Sequence, residues 1–449
     1  MDTDIKAVTR TPLRADRDYL AWLAADTSWM FGSAIQTFAM ALIGYAVTGS
    51  FAQAGAISTV STVVSMVAMV PGGVLVDRWD RRRSLIVSGL IRLLVFAAAA
   101  AAWWAGVLTV PVLYLVGIAS GAVSGLFSGA PDAALKSVVG SEDLPRAVAA
   151  NQGRDGAIRL AAPPLSGLLM AVSTALPFLA AAIGSALQVM CTRLIRTDLR
   201  PGRRPAEQGP AQATGWRGEA LAGFSFVIRD PLLRRIVPAL VCLNTGIGAL
   251  YIGITLTLQG RGVPTWRIGL IDSVMAAGML IGTPFAQRFI RTIPTGRLVV
   301  SAFVACTVIF VPVSLDQRIP LVLVSFGLLG LIAPAVNGAM GGYVQAVIPD
   351  DLQGRSMAAL ALVLQTLPAL VPATVGFGLQ HLGPGPTMAA TVVLFPVAAV
   401  LMASHRALRE LPTPDRWPLD TAAADTVTVS TEAFDTEAVD TAAVDTVEP

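Results

Sequence analysis

Apolar residues in this chain run together rather than alternating with polar ones. From about residue 20 to residue 405 the sequence is a succession of apolar stretches, each about 20 residues or longer, the length that crosses a bilayer core as a helix. They fall at about 20–47, 51–76, 84–105, 109–130, 150–172, 177–195, 235–258, 267–289, 297–315, 319–346, 355–380 and 385–405, and each predicts one helix. Two boundaries lie in uncharged sequence. Residues 93–131 carry no charge, too long for one crossing, and Gly106 and Pro111 supply the turn. Residues 160–192 divide at Ser173–Pro177. The pattern predicts an all-α membrane protein with twelve transmembrane helices in two six-helix halves, residues 19–195 and 235–405. Residues 1–18 lack an apolar core with a cleavage site and read as a cytosolic leader.

Composition agrees. Of 449 residues, 54% are hydrophobic and 14% charged, against roughly 25% charged in soluble globular domains. That excludes an ordinary soluble enzyme, a disordered chain and a nucleic-acid binder. Cys191, Cys242 and Cys306 all lie inside apolar runs and read as core residues, not as a disulfide framework. His381 and His405 are too few and too far apart for a metal site, and no nucleophile–histidine arrangement is available to an enzyme. No glycine-rich phosphate loop is present, so the chain carries no ATPase and no cofactor is expected.

Charge orients the chain. With the leader inside, the inner connections hold Arg78, Arg81, Arg82, Arg83, Lys136, Arg146, Arg288, Arg291, Arg297 and Arg355, whereas the outer ones hold only Arg261, Arg267 and Arg318. Cytoplasmic connections carry the excess of basic residues, which predicts a bacterial cytoplasmic membrane protein with both termini cytosolic. The middle segment, 196–234, contains Leu221, Phe224 and Ile228 on one helical face and predicts an amphipathic helix on the inner leaflet. The tail, 406–449, is acidic. Asp-Thr pairs recur every five residues, at Asp420, Asp425, Asp435, Asp440 and Asp445, with Ser430-Thr431 completing the series. This spacing fits neither a helix face nor a strand face, and the composition favours disorder.

The halves echo each other. Gly73-Val-Leu-Val-Asp77-Arg78 follows the second helix, and Gly282-Thr-Pro-Phe-Ala286-Gln287 closes the eighth. Glu142-Asp-Leu-Pro-Arg146 precedes the fifth helix as Asp350-Asp-Leu-Gln-Gly-Arg355 precedes the eleventh. Such a repeat points to a duplicated transporter whose halves rock about a midplane site. The loop Gly72-Gly-Val-Leu-Val-Asp77-Arg78-Trp-Asp-Arg81-Arg82-Arg83 resembles the loop signature of the major facilitator superfamily, with Asp80 where that signature usually has glycine. The resemblance covers nearly all of residues 18–405. Leu144–Asn151, Glu219–Arg235 and Pro349–Arg355 resemble, more closely, the drug and siderophore exporters similar to the enterobactin exporter and the macrolide efflux proteins. It implies an inner gate built on Gly73, Asp77, Arg78, Arg81 and Arg82, with Asp77 accepting from a helix end or an arginine and Gly72 and Gly73 letting helices approach. The exporters' fifth-helix signature is altered here to Ala162-Pro-Pro-Leu-Ser-Gly167, and their fourth-helix arginine has no counterpart in Leu115–Leu126.

Ionisable groups inside a membrane are costly and mark pathways or partners. Asp26, Asp272 and Arg92 are the proton-coupling candidates. Arg92 could instead snorkel to the headgroups, Asp272 could pair with Arg267 at the outer face, and Asp26 could sit at the interface. Asp155 and Arg159 are spaced to pair on one helix face. Gln36, Asn244, Tyr251, Asn337 and Gln365 are candidates to line the substrate path, though interhelical hydrogen bonds would use the same residue types. Gly278 and Gly282 read as a packing motif. The sequence thus leads to a monomeric secondary transporter acting on a small-molecule substrate, with protons and the lipid bilayer as its other partners. The favoured direction is export of a hydrophobic drug or metabolite by proton antiport. Uptake or export of a siderophore or other small solute is the alternative, and a non-transporting receptor or scaffold a further one.

Overall fold

The computed structural model describes residues 15–140, 143–200, 225, 229–230, 232–348 and 353–417. Their regular structure is entirely helical. The first half comprises α1 (Arg17–Thr48), α2 (Phe51–Arg78), α3 (Arg81–Trp104), α4 (Val110–Leu126), α5 (Ala130–Val138), α6 (Leu144–Val172) and α7 (Ala175–Leu194). The second comprises α8 (Leu233–Gly260), α9 (Thr265–Thr292), α10 (Thr295–Leu315), α11 (Ile319–Val347), α12 (Gln353–His381), α13 (Pro384–Val392), α14 (Leu394–Ser404) and α15 (Arg406–Arg409). α4 with α5, and α13 with α14, each make one broken crossing.

Among the described residues, eleven segments are long and apolar enough to cross a membrane by themselves. α6 completes twelve. It is 29 residues long, and Arg154, Asp155 and Arg159 lower its apolarity. Side-chain caps begin the first three helices. Asp16 caps α1 by accepting from the Asp18 and Tyr19 amides, and Gly49 ends it in the left-handed conformation (φ 64°). Exposed large apolar side chains ring the bundle, among them Leu94, Leu115, Met190, Val308, Leu315 and Val400. A surface this apolar requires hydrocarbon as its solvent.

Each half repeats one packing plan. The first helix packs on the last (α1 on α7, α8 on α14), and the second on the fourth (α2 on α4, α9 on α11). Glycines permit the second pairing. Gly72 faces the Gly125 and Leu126 backbone, while Gly278 and Gly282 face the backbone of Gly327 and Leu331. The packing role expected of Gly278 and Gly282 is what the structure shows. Gly73 differs from expectation. A Cβ there would meet nothing within 4 Å, because Gly72, one residue earlier, occupies the α4-facing position.

The halves meet along α2–α12 and α6–α9. Their tight contacts lie toward one end of the bundle, the end of the Ser50 connection. There Gly55 lies against Pro372, Gly376 against Phe51, Gly167 against Thr265 and Gly269 against Pro163. Gln380 Oε1 accepts from Ser50 Oγ (3.3 Å) and the Phe51 amide (3.1 Å). Thr265 Oγ1 donates to Gly167 O (2.6 Å), and the Ala373 amide to Thr59 Oγ1 (2.8 Å). Toward the opposite, Arg81 end, α2 keeps its α4 contact at Gly72, but among the described residues Val67, Met69, Val70, Pro71, Gly73 and Val74 are all exposed. The bundle is closed at the Ser50 end and open at the Arg81 end.

Residues 406–417, assigned to the tail on composition, pack against the second half. Gly296 and Thr295 amides donate to Leu411 and Pro412 carbonyls. Trp417 Nε1 donates to Thr295 Oγ1 (3.2 Å), and its ring meets Tyr343 edge-on (5.5 Å). The Asp-Thr repeats, the leader through residue 14 and, of the amphipathic stretch 216–229, all but residues 225 and 229 lie outside the described residues, Leu221, Phe224 and Ile228 among them.

Candidate transport cavity

A cavity of about 560 Å³ lies between the halves. α1, α2 and α6 wall one side and α8, α9 and α12 the other. Most of its lining is apolar: Trp29, Met30 and Phe38 from α1, Ile158 and Pro163 from α6, and Met275 and Met279 from α9. Ser33, Thr37, Ser58, Thr62 and Thr255 add hydroxyls, and the charged residues among its lining are Arg159 and Asp272.

Those two face the cavity from opposite halves. Asp272 Oδ2 accepts from Tyr251 Oη at 2.5 Å, and Asp272 lies in the field of Arg159. The pairing of Asp272 with Arg267 considered from sequence does not form, since Arg267 instead lies over the Trp266 ring at 5.3 Å. Asp155 and Arg159 do not pair either. Arg154, next in sequence, takes Asp155 with Nε and Nη2 (2.9 and 2.8 Å) and leaves Arg159 to the cavity.

The chain matches the sequence profile of the Major Facilitator Superfamily over residues 22–372. It belongs to that superfamily. Solved structures with the same fold include a bacterial homologue of the iron transporter ferroportin in its inward-facing state (TM-score 0.68, 14% identity, covering 88% of this chain and 99% of that one). The nucleoside transporter NupG (0.63, 13%, 88% and 99%) and a D-xylose–proton symporter (0.62, 13%, 88% and 98%) are likewise similar. No curated protein matches the sequence. The chain is therefore a multi-span membrane transporter of the major facilitator type rather than an enzyme.

Within that architecture the remaining sequence candidates separate. Asp26 is buried in α1, and its Oδ2 accepts from Arg154 Nη2 at 2.6 Å. Arg154 also reaches Thr27 Oγ1 and Met30 Sδ, each at 3.4 Å. The sequence reading overlooked Arg154. The buried stripe Asn151–Ile158–Ala162–Ser166 marks the α1-facing side of α6, and Arg154 sits beside that stripe. Arg92 does not snorkel. It is 5% exposed, lies over the Trp29 ring (4.9 Å) and donates to Ser124 Oγ (3.2 Å), so it stands behind the cavity wall rather than in it. Tyr251 lines the cavity; Gln36 is buried outside it; Asn244, Asn337 and Gln365 are exposed and do not line it.

In the superfamily's loop signature, Arg81 donates to Ser137 Oγ on α5, and Arg82 Nη2 donates to Thr197 O (2.9 Å). Both tie the connection to its own half. Arg78 is exposed, and the side chain of Asp77 lies outside the described residues. Asp80, which stands where the signature usually has glycine, caps α3: its Oδ1 accepts from the Arg82 amide at 2.9 Å. The altered fifth-helix signature also has a local role. Ser166 Oγ donates to Ile35 O (2.8 Å), and Gly167 provides the α9 crossing.

Proposed function

We propose that this superfamily member exports a largely apolar, amphipathic compound, a drug or secondary metabolite, across the bacterial cytoplasmic membrane in exchange for protons. The observation that carries the reading is the central cavity, with aromatic and methionine walls and one acid–base pair contributed by opposite halves. Methionine-rich walls accommodate varied apolar shapes, and the few polar groups fix orientation. The basic Arg81 end is the cytosolic one on the positive-inside rule, which makes the observed state open to the cytosol, with both termini there. Substrate enters from that side. Asp272 is the proton carrier of this reading, with Tyr251 as its hydrogen-bond donor and Arg159 as the charge that releases or retains it. The likeness of Leu144–Asn151 and Pro349–Arg355 to exporters of drugs and siderophores supports the outward direction.

The experiment uses inside-out membrane vesicles energised with a proton gradient, a panel of hydrophobic antibiotics, and dye-reported proton movement. Wild-type protein should accumulate one or more compounds and leak protons outward on their addition. Asp272→Asn should abolish both while binding persists, and Tyr251→Phe should weaken both less. Gradient-driven uptake by right-side-out vesicles would reverse the direction. A protein that moves no compound in either direction would leave the receptor reading standing.

A further inference from the structure

We infer that the first half contains a binding site for one sodium ion, formed by Asp26 on α1 and Gln188 on α7. Asp26 Oδ1 and Gln188 Oε1 are buried acceptor atoms without a hydrogen-bond partner, on side chains whose residues are 8% and 3% exposed. Both line the same small pocket of about 10 Å³, walled by Trp22, Ala25, Leu85 and Pro131. Buried acceptors left without a donor cost free energy, and such a pair calls for a water or an ion. The volume is that of a single water-sized particle.

The amide orientation of Gln188 is fixed by its other end. Nε2 donates to Leu85 O at 3.3 Å, so turning the amide over would set Oε1 against a carbonyl oxygen that also accepts from Ser88 Oγ (3.0 Å). Oε1 therefore stays the unpaired end of an amide whose side chain lines the pocket. Charge then selects a cation over a water. Asp26, Asp155 and, through its field, Asp132 act here against the single guanidinium of Arg154. Asp26 spends one oxygen on Arg154 and keeps the other for the pocket. Hard cations take oxygen ligands, carboxylate and amide carbonyl among them. One carboxylate and one neutral amide oxygen offer a single negative charge, which suits a monovalent ion; no group of three or more His, Cys, Asp or Glu lies among the described residues.

The site would connect to transport through Arg154. Arg154 Nη2 touches Met30 Sδ at 3.4 Å, and Met30 lines the central cavity. A cation beside Asp26 competes for the carboxylate that holds Arg154, so occupancy bears on the cavity wall. This consequence rests on the transporter reading; the binding does not, and it is measured without transport.

The test is thermal unfolding of the purified full-length protein in detergent, with sodium chloride replacing choline chloride at fixed ionic strength, and lithium and potassium in parallel. Wild type should melt higher with sodium in a saturable way. Lithium should substitute and potassium should act only at much higher concentration. Asp26→Asn should raise the half-saturating sodium concentration about tenfold or more, the loss of roughly 1.4 kcal/mol. Gln188→Met keeps the size and removes the amide acceptor, so it too should raise that concentration. Melting that ignores sodium, variants that respond as wild type, or a response to acid alone would each overturn the site; the pocket would then hold only water. Failure of efflux with sodium binding intact would sink the export reading and leave this one.

Discussion

Adding a single methyl group at Gly269 should shift the protein between its two access states. A Cβ at this position would lie 2.5 Å from Pro163 O, 2.6 Å from Pro163 C and 2.7 Å from Pro164 N. All three are backbone atoms of a proline pair, so no side chain can rotate away. Overpacking of this kind costs about 1–3 kcal/mol. The crossing joins the halves near the Ser50 end, so the cost falls on the state in which that end is closed. In a two-state equilibrium a one-sided cost of about 1–3 kcal/mol changes the ratio by roughly 5- to 150-fold. Gly184→Ala provides the comparison. Its Cβ would lie 2.5 Å from Ser28 O, as close an approach, to one backbone atom rather than three, and between α7 and α1 of one half. If each half moves as a unit, that cost appears in both states and cancels from their ratio. The assay replaces Cys191, Cys242 and Cys306, introduces a cysteine at Ser50, and measures labelling by a membrane-impermeant maleimide from each side. Gly269→Ala should raise labelling at Ser50 from the side that this end faces; Gly184→Ala should lower the melting temperature and leave labelling unchanged. Equal labelling in both variants would refute the reasoning, because the halves would not then part at this crossing.

Arg154→Met should be among the most damaging single changes, since it leaves the buried Asp26 unpaired at a cost of about 3–5 kcal/mol; the melting temperature and amount of protein in the membrane should both fall. Asp155→Asn, at a carboxylate about one-third exposed, should change the melting temperature far less. Asp77→Asn should reduce export per molecule more than Asp80→Asn, because asparagine keeps the α3 cap that Asp80 provides, whereas Asp80→Ala should cost about 1 kcal/mol. Ending the chain after Pro418 should leave melting unchanged, whereas ending it after Ser404 removes the Trp417 contacts with Thr295 and Tyr343 and should lower it.

The fold was legible because a membrane imposes a one-dimensional code. Helix length, glycine and proline turns and basic connections are local properties, and they placed all twelve crossings, α6 included despite its charges. Partner choice was not local. Asp155 has Arg159 at ideal helical spacing yet bonds its sequence neighbour, because α1 brings Asp26 within reach of Arg154 and draws that guanidinium into a shared site. Asp272 met Tyr251 from another helix rather than Arg267 from its own. Gly73 belongs to the loop signature, but which of two adjacent glycines touches α4 depends on the rotation of α2, and Gly72 does. Trp417 was grouped with an acidic tail because composition averages over residues; a lone tryptophan beside Pro412 and Leu411 was the available sign of docking.

The two ends of the molecule are therefore held by different physics. At the Ser50 end, backbone meets backbone across glycines, with neutral hydrogen bonds from Gln380, Thr265 and Thr59. At the Arg81 end, the described contacts of Asp26, Arg81, Arg82 and Arg154 stay within the first half. Contact between neutral backbones is insensitive to salt and to membrane potential, whereas charges near a surface are screened by salt. Closing the Arg81 end brings that surface toward the second half, so the ionic conditions of that side act on one of the two states. The acid–base pair in the cavity completes the asymmetry. Arg159 and Asp272 belong to different halves, so their attraction changes whenever the halves move. On the antiport we propose, a proton on Asp272 would remove one member of that pair, and a polar group of the amphipathic substrate would compete for the other. Exchange of the two ligands would then require no contact between them, only that each weakens the same attraction across the cavity.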